Sequence, residues 1–134
     1  MNFPTTKLTH LFMSNNTDKP TGVLDFEQTI NEAQIRLSIG LNYIRKSEYS
    51  FSVQFKSKTT IIFEKTLKAQ FNTENIPSGN LLSEDVFGSI LDFKSENIKF
   101  VDDGPVTISV TLYDQYGFEL DSLKTNIWVK NVPQ

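Results

Sequence analysis

Gly104-Pro105-Val106-Thr107-Ile108-Ser109-Val110-Thr111-Leu112-Tyr113-Asp114-Gln115-Tyr116-Gly117-Phe118-Glu119-Leu120, running on to Ile127-Trp128-Val129, decides the fold. Val106, Ile108, Val110 and Leu112 alternate with Thr107, Ser109 and Thr111, the period-two pattern of a strand with one buried and one wet face. Asp114-Gln115-Tyr116-Gly117 reverses the chain: an Asp carboxylate accepts backbone N–H groups at the start of a turn, and Gly supplies the positive φ after it. Phe118 to Val129 is then the return strand. Phe118 and Leu120 lie on even positions, whereas Leu123, Ile127 and Val129 lie on odd ones, so a bulge near Asp121-Ser122 is needed to bury both groups on one face. Trp128 is expected to point away from that face.

The same alternation extends upstream. Residues 7–13 read as a strand closed by a polar loop at 14–20, and Leu24, Phe26 and Ile30 place a second strand over about 22–30. Ile35, Leu37, Ile39, Leu41 and Tyr43 alternate with polar or small residues, as do Tyr49, Phe51, Val53 and Phe55. Across the short link Arg45-Lys46-Ser47 these two are expected to form a hairpin. A further turn at residues 57–60 leads to Ile61, Phe63, Leu67, Ala69 and Phe71 on one parity, giving a three-strand meander over 35–71. Lys65 stands alone among those apolar neighbours and reads as an inward-pointing edge charge that opposes aggregation.

Residues 72–80, with Pro77-Ser78-Gly79, form a long connection between sheets. Ser83-Glu84-Asp85 can cap a short helix near 83–91, although 89–93 also fits a short strand, and the pattern leaves both open. Ile98 and Phe100 make a brief strand before Asp102-Asp103-Gly104 turns the chain into the last hairpin. The whole predicts an all-β fold, a two-sheet antiparallel β-sandwich of seven to eight strands in one domain spanning 1–134. A small barrel is the competing architecture.

A chain of 134 residues with eleven Phe and four Tyr can bury one core without staples. It has no cysteine, so neither a disulfide framework nor a thiolate zinc site exists. The formal net charge of −3 lacks the positive field that nucleic-acid binding needs. The sequence shows neither a signal-like N-terminus nor an apolar stretch of bilayer length, so a soluble cytoplasmic protein without membrane contact is expected.

Phe100-Val101-Asp102-Asp103-Gly104, the strand Val106 to Asp114, Gly117 and the closing Ile127-Trp128-Val129 resemble the final hairpin of immunoglobulin-like domains of the polycystic-kidney-disease repeat type. The resemblance implies a sandwich and a binding or spacer role. That family's Trp-Asp-Phe-Gly-Asp-Gly-like signature is absent from this sequence.

No phosphate loop, nucleophile elbow or paired-histidine spacing is present, so no catalytic residue, metal or cofactor is expected. His10, the only histidine, reads as structural. Asp103 and Asp114 are separated by roughly 36 Å of extended strand and read as two turn acids, not as one calcium site. Tyr113, Tyr116, Phe118 and Trp128 are the candidate binding residues, because clustered aromatics near Asp and Gln bury much area at low entropic cost. The expected function is therefore that of a non-enzymatic protein-binding or adaptor domain, acting through a surface or as a homo-oligomer joined by a sheet edge or apolar sheet face. A structural subunit of a larger assembly, of phage or secretion-apparatus type, and a carbohydrate-binding module are the alternatives.

Overall fold

The computed structural model of the chain describes residues 3–14, 19–27, 30–71, 76–83 and 85–134. The described strands are β1 (Lys7–Ser14), β2 (Pro20–Thr21), β3 (Val23–Asp25), β4 (Glu32–Arg45), β5 (Ser47–Ser57), β6 (Thr60–Phe71), β7 (Val86–Lys99), β8 (Gly104–Tyr113) and β9 (Glu119–Lys130). They form a four-stranded sheet in the order β2-β1-β4-β7 and a five-stranded sheet in the order β3-β9-β8-β5-β6. The two-sheet β-sandwich expected from the periodicity is the observed fold. One short edge pairing, β3 with β9, is parallel.

The inner face of the five-stranded sheet carries Phe51, Val53 and Phe55 from β5 with Val106, Ile108, Val110 and Leu112 from β8, all fully buried or nearly so. Opposite them lie Ile35, Leu37, Ile39 and Leu41 of β4. Phe87 and Phe100 fill the rest of the interior. Phe63 and Phe71 of β6 reach across to Phe93 and Phe87 of β7, with ring centroids 6.4 and 6.1 Å apart.

Several expected details are corrected. β4 and β5 do not pair, so the meander over 35–71 reduces to the β5–β6 hairpin: β4 pairs with β1 and β7, β5 with β6 and β8. The link at Lys46 carries the chain from one sheet to the other. A bulge opposite Leu41/Ile44, with Tyr43 at φ +58°, switches parity there, so Ile44 is buried and Tyr43 only partly so. A bulge beside Lys56 likewise leaves Ile61 half exposed. The helix considered near 83–91 does not form; residues 86–91 belong to β7, which runs on to Lys99 and so takes in Ile98, but not Phe100, of the brief strand expected there. The strand expected over 22–30 stops at Asp25, Glu27 has φ +53°, and Ile30 is exposed; residues 28–29 lie outside the described set, as do 72–75 of the long connection. That connection does run from one sheet to the other. The bulge of β9 falls at Leu120, one residue before the expected place.

Polar side chains tie the ends. Asp103 accepts the N–H groups of Asn131 (3.2 Å) and Val132 (2.9 Å), and Asp121 accepts that of Leu8 (2.9 Å), joining β1 to β9. Lys65 is not buried in the core: its Nζ lies 2.8 Å from Glu96 Oε1 of β7, which holds the Glu96 carboxyl below the ordinary range first by that hydrogen bond and then by charge. Asp25 is held below its ordinary value of 3.8, chiefly by the amide of Asn131 and then by the backbone N–H of Glu27.

Truncating Phe51 to Ala should destabilise the protein by about 3–5 kcal/mol, since a fully buried ring leaves a cavity in a packed layer; chemical denaturation measures it. The Asp25 carboxyl binds fewer protons in the folded chain than in the unfolded one just below 3.8, so its contribution is complete above that value and drains as pH falls through the folded pKa. Asp25→Asn should therefore lower Tm at neutral pH and leave it unchanged in strong acid, as thermal melts over a pH series would show.

Candidate functional site

Tyr113 ends β8, and Asp114 organises the turn into β9. Its Oδ1 accepts the N–H groups of Tyr116 (2.9 Å) and Phe118 (3.0 Å). Its own N–H donates to Phe118 O (2.9 Å), and Gly117 N–H donates to Asp114 O (3.1 Å). Gly117 adopts φ +86°, open to glycine at no steric cost. Four hydrogen bonds thus fix a five-residue tip, and on that fixed backbone Tyr116 is 77% and Phe118 69% exposed.

A groove of about 380 Å³ runs beside the tip, between it and the N-terminal segment. Phe3, Tyr116 and Leu120 give it apolar walls; Arg45, Asp114 and Gln115 give it polar ones. Its floor is a buried polar knot. Thr6 Oγ1 donates to Tyr43 O and shares a hydrogen bond with Tyr49 Oη, both at 2.8 Å, and the N–H of Arg45 donates to Tyr49 Oη at 3.1 Å. The Arg45 guanidinium donates through Nη1 to Tyr43 O (2.6 Å) and through Nη2 to Phe3 O (3.1 Å), fastening the N-terminal segment to the end of β4.

Of the four candidate residues, the structure places Tyr116 and Phe118 on the tip and the half-buried Tyr113 at the end of β8, paired with Ser50. Trp128 is separate. It is 53% exposed on the outer face of β9, as its parity predicts, but ten residues along the strand from Phe118, roughly 33 Å. Val23 and Pro105 are its cross-strand neighbours there, and its N–H donates to Gly22 O (2.8 Å). Sequence reasoning missed Phe3, Thr6 and Arg45, which join the site across more than forty positions of chain. Only Tyr49 signalled it: a tyrosine on an inward-facing parity needs a buried partner for its hydroxyl.

His10 lies on the outer face of the four-stranded sheet. Its ring stacks on Phe12 (centroids 5.0 Å apart) and its Nε2 is 3.1 Å from Ser38 Oγ, over Gly40, where a Cβ would collide with His10 and Thr9. Asp103 and Asp114 sit at opposite ends of β8, each engaged with backbone N–H groups, and no cluster of metal-ligating side chains occurs among the described residues.

No family model matches the chain and no curated protein matches it, so the resemblance of the last third to polycystic-kidney-disease repeats is not shown. Among solved structures the chain is similar to a Niemann-Pick type C2 protein from the Japanese carpenter ant, with 8% sequence identity, 93% of this chain and 92% of that chain covered, and a TM-score of 0.47. That likeness is too distant to bear on function.

Asp114→Ala should cost about 1–3 kcal/mol, because two backbone N–H groups lose a charged acceptor, whereas Tyr116→Ala should stay within about 0.5 kcal/mol of wild type, as an exposed side chain does. Denaturant titration of the two variants tests this assignment of scaffold and surface.

Proposed function

We propose that this chain is a non-enzymatic binding domain that engages a partner protein through the β8–β9 tip and the adjoining groove. The observation that carries the reading is the pairing of a fixed backbone with two large aromatics left in water. Exposure is ordinary for single apolar side chains, but two aromatics on a preorganised loop are the arrangement that yields affinity at low ordering cost. Together they keep roughly 200–300 Å² of ring surface available, on the order of 5–7 kcal/mol of gross burial free energy before association costs are met. Arg45, Asp114 and Gln115 supply the polar rim that orients such a contact.

The test is quantitative affinity capture from the native source, comparing wild type with the Tyr116→Ala/Phe118→Ala double variant after circular dichroism has shown both to be folded. The expected result is a specific protein recovered by wild type and depleted at least about tenfold by the variant. Equal recovery of the same proteins by both would overturn the reading.

A further inference from the structure

β6 is an edge strand, and the way it is finished is unusual. From Phe63 to Phe71 its register with β5 is unbroken, and it contains neither Pro nor Gly. The other described edges are short or interrupted: β2 and β3 have two and three residues, and β7 carries an extra residue where Gln34/Arg36 face Asn97/Lys94. Bulges and short edges are the common devices that prevent strand addition. β6 relies on neither over this stretch. One of its charges, Lys65, is drawn toward the other sheet and paired with Glu96 at 2.8 Å.

The exposed side chains of this edge are self-complementary. Glu64, Thr66 and Lys68 lie on the same outer face. In an antiparallel pairing of two β6 strands centred on Thr66, Glu64 of each copy stands directly opposite Lys68 of the other, so both charges are matched twice. On the inner face the same register sets Phe63 opposite Ala69, large against small, and Lys65 opposite Leu67. Centring on Glu64 or Lys68 instead would oppose like charges, which is unfavourable in cross-strand positions.

We infer that β6 is the interface of a homodimer in which two copies of this chain pair antiparallel about Thr66 and join their five-stranded sheets into one. The interface is isologous, as a twofold requires: each strand contributes the same residues in opposite order. The tip bearing Tyr116 and Phe118 lies toward the Lys68 end of β6, since Tyr113 pairs with Ser50 and Ser50 with Lys68. The dimer therefore presents its two tips at opposite ends of the joined sheet.

Charge reversal tests the register. By analytical ultracentrifugation over a concentration series, Glu64→Lys and Lys68→Glu should each raise the dimer dissociation constant at least about tenfold, and the Glu64→Lys/Lys68→Glu double variant should restore it. Thr66→Cys gives a second measurement in a chain that has no other thiol. Its two copies would bring Cα atoms to about 4.5–5.5 Å, within disulfide reach, so mild oxidation should yield a covalent dimer, while Ser122→Cys on β9 should not. A wild-type chain that stays monomeric at every concentration would overturn the inference. So would a dimer indifferent to the single reversals, failure of the double reversal to restore association, or equal cross-linking at both cysteine positions.

Discussion

The constraint on which the structure depends is the apposition of one inward face from each sheet without covalent or metal reinforcement. Phe51, Val53 and Phe55 of β5 and Val106, Ile108, Val110 and Leu112 of β8 form one side; Ile35, Leu37, Ile39 and Leu41 of β4 form the other. Non-directional burial drives this contact, so it fixes which side of each strand points inward and leaves lateral pairing to other forces. Close packing then demands that every strand keep its apolar side inward along its whole length. Five of the described strands carry an extra residue: β1 at Thr9, β4 near Tyr43, β6 at Ile62, β7 at Ser95–Glu96 and β9 at Leu120. The bulge in β4 exchanges one ladder position for burial on both sides of it, at Leu41 and Ile44, whereas that in β6 leaves Ile61 half exposed.

Polar side chains at the strand ends follow from the same constraint. A sandwich buries its middle and leaves its corners with backbone groups that no ladder reaches. Asp103, Asp114 and Asp121 each accept backbone N–H groups at such corners, and the Thr6–Tyr49–Arg45 knot does so at the end of β4. No buried side-chain nitrogen or oxygen is left without a partner among the described residues. The fixed aromatic tip is thus a by-product of corner chemistry: the carboxylate that ends β8 also sets the backbone from which Tyr116 and Phe118 project.

The legible features of the chain were the local ones. Alternation revealed the faces of β5, β6 and β8, and turn residues located the final hairpin and its aspartate. Partnership between strands was not legible, because an apolar face at 35–41 and another at 49–55 look the same whether they lie side by side or across a core. Residues 83–91 were ambiguous for another reason: Ser83 and the acids after it suit a helix cap, yet Val86 and Phe87 are buried by β4 and by Phe71, and tertiary packing overrides a weak local preference. The aromatic set divided because strand parity says which way Trp128 points but not how far along the sheet it stands.

The two sheets end on the same side in β6 and β7, and the contacts there show how an open edge is managed. Phe63 and Phe71 close the interior against Phe93 and Phe87, so the apolar layer continues to the rim. Lys65 lies between them on the same strand, and its ion pair with Glu96 of β7 holds the charge at the exposed rim and out of that layer. An exposed ion pair of this kind adds little to stability. Its effect is positional: it holds the Lys65 charge against β7 at the rim of the core and leaves Glu64 and Lys68 as the charges on the outer face of β6.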